Sequence, residues 1–163
     1  MSLNLQVIDN FFSEKEFNII QSNISKLDLK IMTNENGIYG FRHTFEKDKD
    51  NEWMFAKIKQ AFFRKKDLHL KHASYHLRHN NKKVMSHTDG PDYNFILYLK
   101  GQELVYNGTG FYDKNNNLNT YVGFVENRAL FFDGKNNVHT DLQALGESSP
   151  RHTLNIFYDH KKI

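Results

Sequence analysis

The first third of the chain combines a strand-like segment with two segments whose apolar residues recur at helical spacing. Residues 3–8 alternate enough to predict a short strand, and Ser13 with Glu16 forms a capping-box pattern that predicts a helix start. One apolar stripe follows this start: Phe17, Ile20, Ile24 and Leu27. A second helix is predicted over residues 51–66, with an inner side formed by Trp53, Ile58, Ala61 and Phe62. Both helices are expected to pack on one face of a sheet.

The glycines between the helices predict a loop over residues 37–43, and from residue 68 onward the pattern changes to short strands separated by turns. Eight strands are predicted here: residues 70–78, 84–89, 93–100, 103–106, 110–112, 120–125, 129–133 and 151–158. Turns are predicted at residues 80–83, 90–92, 113–117, 126–128 and 136–137, where turn-forming residues such as Asn cluster. About eight short strands after two helices are compatible with a mainly β fold of the jelly-roll type.

Composition narrows the functional classes. The 163 residues are enough for one domain with a core, and 14 Phe and 8 Tyr residues predict a strongly aromatic interior. The net charge of +3 is too small and too evenly spread to argue for nucleic acid. The chain has no cysteine, which excludes disulfides and zinc–thiolate sites. No segment has the pattern of a membrane span or a signal peptide, so we expect a cytoplasmic protein with no membrane partner.

The residues that carry chemistry centre on His87-Thr88-Asp89. Residues two apart on a strand point to the same face, so His87 and Asp89 can both be aimed at one cation. A third ligand must come from another strand, and His139 lies in a β-like segment far along the chain. Two imidazoles and one carboxylate suit a ferrous ion with one open face. A second His-Thr-Asp sequence at residues 139–141 is an alternative pair, but it would need a later histidine, after which no arginine follows.

Arg151 opens the last strand-like segment and is predicted to act as a clamp for a carboxylate. A guanidinium can grip a carboxylate through two parallel hydrogen bonds. 2-Oxoglutarate has a distal carboxylate for such a clamp and a 2-oxo acid end that can chelate iron. Thr153 lies two residues after Arg151, so it shares that face and is a second candidate donor to the carboxylate. A surface salt bridge is the alternative interpretation of Arg151.

The order H-x-D, a long gap, His and then Arg resembles the Fe(II)/2-oxoglutarate-dependent dioxygenases. The surroundings are most similar to the prolyl-4-hydroxylase-like branch, with Tyr75 before the H-x-D, a strand that contains Tyr98 after it, and then Gly108-Thr109-Gly110. The resemblance covers about residues 70–159. It implies a double-stranded β-helix, or jelly-roll, preceded by two helices on one face. With the chain length, it predicts a single domain over residues 1–163, with a helical part at about 1–67 and a jelly-roll core at about 68–160.

The same resemblance implies an activity. The protein would hydroxylate an unactivated C–H bond, with a peptidyl proline as one candidate, and would release succinate and CO2. It would use Fe(II) as cofactor, 2-oxoglutarate as co-substrate and ascorbate as a reductant, and its substrate would be a peptide or a small molecule. In the family a strand tyrosine hydrogen-bonds the co-substrate carboxylate. Tyr98 and Tyr75 are the candidates for that role here, and a position in the core is the alternative for each.

Two departures limit how far the resemblance is carried. Thr109 between its two glycines matches the Gly-rich turn only loosely, which weakens the assignment to prolyl substrates. Residues 152–158 contain no second arginine, which disfavours the nucleic-acid demethylase branch. A non-catalytic cupin-like jelly-roll, with a binding or structural role, is the rival interpretation from another functional class.

Overall fold

Ten strands and two helices form most of the regular structure in the computed structural model, which describes residues 4–35, 37–45, 50–63, 68–78, 86–146 and 149–160. In chain order these elements are β1 (Leu5–Ile8), α1 (Glu14–Ile24), β2 (Lys30–Asn34), β3 (Gly37–Thr44), α2 (Glu52–Phe63), β4 (Leu68–Arg78), β5 (Tyr93–Lys100), β6 (Thr109–Tyr112), β7 (Leu118–Val122), β8 (Ala129–Asp133), β9 (Val138–Asp141) and β10 (Arg151–His160). Short 3-10 helices occur at Val105–Asn107 and Gln143–Leu145. The protein is therefore mainly β with two helices, as predicted.

The strands form two antiparallel sheets. The larger sheet has the order β1-β8-β5-β10-β4-β3-β2, and the smaller has the order β7-β6-β9. His87 forms an isolated antiparallel bridge with His139 of β9. That bridge attaches the segment around His87 to the smaller sheet, beside β9.

Strand β5 shows how the larger sheet separates two layers. Its alternate residues Phe95, Leu97 and Leu99 are buried in one cluster with Phe17 and Ile20 of α1, and with Met54 and Ile58 of α2. Its residues Ile96 and Tyr98 point the opposite way, into a second cluster with Phe111, Phe124 and Phe132. The period of two along a strand produces this division. The prediction that both helices pack on one face of a sheet is confirmed.

The capping box predicted for the first helix is present. The Ser13 side chain accepts a hydrogen bond from the Glu16 backbone N–H at 3.4 Å, and Glu16 Oε2 accepts from the Ser13 backbone N–H at 2.8 Å. Strands β5 and β8 begin and end at the predicted residues. Four predicted pieces lie outside the described residues. They are residue 3 of the first strand, residues 64–66 of the second helix, the turn at residues 80–83, and residues 84–85 of the strand before Asp89.

Three predictions were wrong. Residues 86–89, predicted as the end of a strand, lie in no strand, and His87 forms only the isolated bridge with His139. Residues 37–43, predicted as a loop, belong to β3, which pairs with β2 and β4. A Cβ on Gly40 would lie 2.5 Å from Leu77 O, so this glycine serves close packing of two strands within the sheet. Residues 103–106, predicted as a strand, contain no strand, and the 3-10 helix begins at Val105.

Among the described residues, neither helix combines the length and the apolar character that a membrane crossing requires.

Asn127 ties the N-terminal segment to the larger sheet and should be important for stability. Its buried side chain donates to Phe12 O at 2.7 Å and accepts from Phe12 N–H at 3.0 Å. Asn127→Ala is expected to lower the free energy of unfolding by about 2–4 kcal/mol, because two buried backbone groups lose their partner. Urea denaturation measures this change.

Asn116→Ala provides the matched control, since Asn116 also has a positive φ, of 61° against 62° for Asn127, but is exposed. The control is expected to reproduce the backbone strain and to lose only an exposed hydrogen bond, from Ser86 Oγ to Asn116 Oδ1. Equal losses of stability in the two variants would contradict the role given to the Phe12 bonds.

Candidate metal centre and carboxylate pocket

His87, Asp89 and His139 converge although they come from two distant segments. One potential ligand atom from each residue can be chosen so that the three atoms lie within 4.8 Å of one another. His139 Nε2 is 3.2 Å from Asp89 Oδ2, and His87 Nε2 is 3.7 Å from Asp89 Oδ1. Among the described residues, this is the one group of at least three His, Asp or Glu side chains with such spacing. The three residues predicted as a metal site are therefore brought together.

Backbone pairing positions the three side chains. His87 N–H donates to His139 O at 3.0 Å, and His139 N–H donates to His87 O at 2.9 Å. Asp89 N–H donates to Gly134 O at 2.9 Å, in the turn after β8. The segment with His87 and Asp89 is thus fixed to β9 on one side and to a turn on the other.

The His139 ring is oriented by a second contact. Its Nδ1 lies 3.0 Å from Asn137 O, a contact that requires the proton on Nδ1. Nε2 is the nitrogen that faces Asp89, and in the neutral ring it would carry the lone pair that a metal ion needs. A histidine whose outer nitrogen donates to a carbonyl is typical of metal sites, because the bond fixes both the tautomer and the ring orientation.

Asp89 is held in its ionised form. Burial raises the pKa of this carboxyl, but the hydrogen bond and charge of His139, the charge of His87 and a hydrogen bond from the Asn94 side-chain amide together hold it below the usual value. Asn94 donates through Nδ2 to Asp89 Oδ2. A carboxylate that is partly buried yet ionised is suited to a cation.

The group opens into a cavity of about 110 Å³ that lies between the two sheets. Its wall includes alternate residues of β10, namely Arg151, Thr153, Asn155 and Phe157. The other lining residues are His76, Arg78, His87, Asp89, Asn94, Ile96, Thr109, His139, Thr140 and Asp141. The cavity thus joins the three converging side chains to Arg151 and Thr153, as the shared strand face predicted.

Arg151 is a buried cation whose donors are only partly used. It is 5% exposed, Nη1 donates to Asn107 O at 3.2 Å and to Gly108 O at 2.7 Å, and Nη2 donates to Thr109 Oγ1 at 3.4 Å. Nε has no hydrogen-bond partner, and no carboxylate lies within ion-pair distance in the part of the chain that the structure describes. Burying an unpaired charge is costly, so this position favours an anionic ligand. The surface salt bridge considered for Arg151 is absent among the described residues.

The two candidate tyrosines occupy different faces of the larger sheet. Tyr98 is fully buried, its hydroxyl donates to Thr109 Oγ1 at 2.8 Å, and the Arg151 guanidinium lies 5.3 Å from its ring centre. Tyr98 therefore contacts two residues that line the cavity, Thr109 and Arg151, without lining it itself. Tyr75 lies in the core beneath the helices and hydrogen-bonds His152 Nδ1, and it does not line the cavity.

The neighbour of Tyr75, His76, does line the cavity, and so does Arg78. Neither residue was singled out from the sequence, nor was Asn94. The period of two places residues 76 and 78 of β4 on one face and residue 75 on the other, but it does not show which face encloses the cavity.

Arg78 also forms an ion pair with the aspartate of the second His-Thr-Asp sequence. Arg78 Nη1 lies 3.2 Å from Asp141 Oδ2, and both side chains are mostly buried. The Arg78 guanidinium also lies 4.7 Å from the Tyr39 ring centre. Asp141 therefore pairs with an arginine, whereas Asp89 faces His139.

No protein-family model and no curated protein matches this chain by sequence. Its fold is similar to that of an oxidoreductase of the 2OG-Fe(II) oxygenase family from Burkholderia pseudomallei, with a TM-score of 0.72, 9% identity, and coverage of 98% of this chain and 89% of that one. A prolyl hydroxylase from Trichoplax adhaerens, in complex with a hypoxia inducible factor peptide, gives a TM-score of 0.71 at 11% identity, covering 97% and 84%. HygX from Streptomyces hygroscopicus, with nickel, 2-oxoglutarate and hygromycin B bound, gives 0.68 at 14% identity, covering 98% and 84%. At these identities the likeness is one of fold.

Alanine variants of the two aspartates distinguish the two His-Thr-Asp sequences. Asp89→Ala is expected to weaken Fe(II) binding by more than roughly a hundredfold, since loss of residues that merely orient ligands already costs about 10–100-fold. Asp141→Ala is expected to leave the Fe(II) affinity nearly unchanged while lowering stability, because it leaves Arg78 buried without its carboxylate. Anaerobic Fe(II) titration measures both affinities. Loss of Fe(II) binding in Asp141→Ala alone would move the metal pair to residues 139 and 141.

His76 should make stability depend on pH. Burial, reinforced by the charges of Arg78, Arg42 and Arg151, lowers the pKa of His76 to about 3, against an ordinary value of 6.5. Between these values the unfolded chain binds a proton that the folded protein does not, so the free energy of unfolding falls as the pH falls from 6.5 toward 3. His76→Gln is expected to reduce this slope in urea unfolding. The same change at the exposed His69 is the control, and an equal effect of both would contradict the prediction.

Proposed function

We propose that the protein is an Fe(II)- and 2-oxoglutarate-dependent dioxygenase that hydroxylates an unactivated C–H bond and releases succinate and CO2. One observation carries this proposal: a single cavity has two histidines and an aspartate at one end and, at the other, a buried arginine without a carboxylate partner among the described residues. A ligand that chelates a metal with one end and carries a carboxylate at the other matches both ends.

The donor set fits Fe(II). His87 and His139 would supply imidazole nitrogens and Asp89 a carboxylate oxygen, the combination found in non-haem Fe(II) oxygenases. Bound iron would supply the activation of O2 and of the C–H bond, with ascorbate as a reductant. The protein's part is to hold the ligands: Asn137 O orients the His139 ring, and Asn94 donates to Asp89.

Arg151 would bind the distal carboxylate of 2-oxoglutarate, with its Nε and Nη2 groups as the available donors. Thr153 lines the same cavity and would add a hydroxyl donor. Tyr98 would act through its bond to Thr109 and its ring beneath Arg151. The core position of Tyr75 gives no support to a direct role in binding the co-substrate.

The finer fold assignment is part of this proposal. The four strands β8-β5-β10-β4 of the larger sheet would lie opposite β7-β6-β9 and the bridged segment at His87, which gives the four-on-four arrangement of a double-stranded β-helix. The chain from 1 to 163 would then be one domain, with its jelly-roll core at about 68–160.

The substrate is proposed at the level of class, as a peptide side chain or a small molecule. Support comes from the Trichoplax prolyl hydroxylase, which has a peptide bound, and from HygX, which has hygromycin B bound. Peptidyl proline is one candidate. The cytoplasmic location and the absence of nucleic-acid and membrane partners stay predictions from the sequence.

Turnover separates the enzyme from a cupin-like binding or structural jelly-roll. The purified protein with Fe(II), ascorbate and 2-oxoglutarate is expected to form succinate, faster in the presence of an accepted substrate from a panel of proline peptides and small metabolites. His139→Ala is expected to abolish succinate formation because a metal ligand is lost. Quantifying succinate by mass spectrometry measures both. A wild-type protein that neither binds nor converts 2-oxoglutarate under these conditions would be assigned to the rival class.

Arg151→Ala should separate co-substrate binding from metal binding. Loss of one partner of a buried charge interaction costs about 2–5 kcal/mol, so the Kd for 2-oxoglutarate is expected to rise more than roughly thirtyfold. The affinity for Fe(II) should stay close to that of the wild type. Arg128→Ala is the matched control, because Arg128 pairs with Asp9, outside the cavity. Anaerobic calorimetry measures the affinities, and an unchanged Kd in Arg151→Ala would refute the clamp.

A further inference from the structure

We propose that Asn107 is a positioning residue for Arg151, so that a buried amide network sets the affinity for the co-substrate carboxylate. This inference rests on the proposed use of 2-oxoglutarate. It extends that function to Asn107, Gln143 and Ser149, none of which lines the cavity.

The Asn107 side chain is fully buried, and both of its polar atoms are used twice. Nδ2 donates to Gln102 O at 2.8 Å and to Ser149 Oγ at 2.7 Å. Oδ1 accepts from Ser149 N–H at 3.0 Å and from Gln143 Nε2 at 3.3 Å. The Asn107 amide thus joins its own loop, at Gln102, to the distant segment that contains Gln143 and Ser149, and a buried amide with both polar atoms fully used makes its surroundings rigid.

Gln143 reinforces the same junction. Its Nε2 also donates to Ser149 O at 2.6 Å, and it is 1% exposed. Leu142, the preceding residue, donates its N–H to Gly108 O at 3.2 Å. The segment around Gln143 therefore contacts both the backbone before Arg151 and the carbonyl that Arg151 itself uses.

The backbone held by this network carries the contacts to the guanidinium. Asn107 O and Gly108 O both accept from Arg151 Nη1. Ser149 lies two residues before Arg151, so the network fixes both the start of β10 and the tip of the arginine side chain. A shift of either one would turn the free donors of the guanidinium away from a carboxylate.

Gly108 allows the backbone that carries the Asn107 and Gly108 carbonyls to lie close to β7. A Cβ at this position would lie 2.3 Å from Val122 O and 2.5 Å from the Tyr121 ring, so the turn lies directly against β7. Because β7 blocks movement on one side, the backbone around Asn107 can shift mainly toward the side of the amide network. Removal of the Asn107 side chain is expected to leave space there and so to permit that shift.

The test is anaerobic calorimetry of Fe(II)-loaded protein with 2-oxoglutarate. Asn107→Ala is expected to raise the Kd for 2-oxoglutarate by roughly 10–100-fold, the scale of a hydrogen bond to a charged group, without a change in Fe(II) affinity. In steady-state turnover the KM for 2-oxoglutarate should rise while kcat at saturation stays near that of the wild type. Gln143→Met, which keeps the size and loses the donors, should change the Kd in the same direction.

A double-mutant cycle separates positioning from a general loss of stability. In an Arg151→Ala background, Asn107→Ala is expected to have almost no further effect on the Kd, because its effect is exerted through the guanidinium. Asn127→Ala is the control, since it removes a buried asparagine side chain that bonds Phe12 and does not line the cavity, and it should lower stability without changing the Kd. Additive effects in the cycle, or an equal change in Asn127→Ala, would overturn the inference.

Failure of the proposed function gives a different result. If the wild-type protein does not bind 2-oxoglutarate at all, the proposed function and this inference both fall. If the wild type binds and Arg151→Ala weakens binding, but Asn107→Ala binds as the wild type does, only the positioning role falls.

Discussion

The buried charge of Arg151 is the constraint on which the rest of the site depends. A guanidinium that is 5% exposed needs partners for its donors, and the described part of the chain supplies two carbonyls and a hydroxyl but no carboxylate. Replacing Arg151 by an apolar residue would be the simpler way to fill this space, since buried ionic groups seldom add stability over apolar packing. The presence of an arginine here is therefore explained better by a ligand than by folding.

The strands that hold the ligand site also form the core. On β10, Leu154 and Ile156 are buried against the helices, whereas Thr153 and Asn155, which alternate with them, line the cavity. On β5 the same alternation separates Phe95 from Asn94. Stability and binding are thus carried by opposite faces of the same strands. The apolar face makes the strands rigid, and a rigid strand keeps the polar face in a fixed geometry.

The sequence was informative where chemistry or pattern was strong. His87, Asp89, His139 and Arg151 could be singled out because their residue types have few uses in that order. His76 could not be singled out, because a period of two shows which residues share a face without showing which face encloses the cavity. Tyr75, which was predicted instead, is the residue next to it. The hairpin of β2 and β3 was missed for another reason: Gly40 permits close strand packing here, whereas glycine alone suggests a loop.

Charge balance in the cavity argues further for a ligand with two unlike ends. Arg78 and Asp141 largely neutralise each other at 3.2 Å, which leaves, among the described residues that line the cavity, Arg151 as the positive group without a carboxylate partner and Asp89 as the acid beside the two histidines. A divalent cation at Asp89 would reverse the sign at that end, so both ends would then attract negative charge. A dianion with a carboxylate at each end matches this field, whereas a neutral ligand would leave both ends uncompensated. The pairing of Arg78 with Asp141 would also hold the second carboxylate apart from such a cation, so Asp89 would be its single acid ligand.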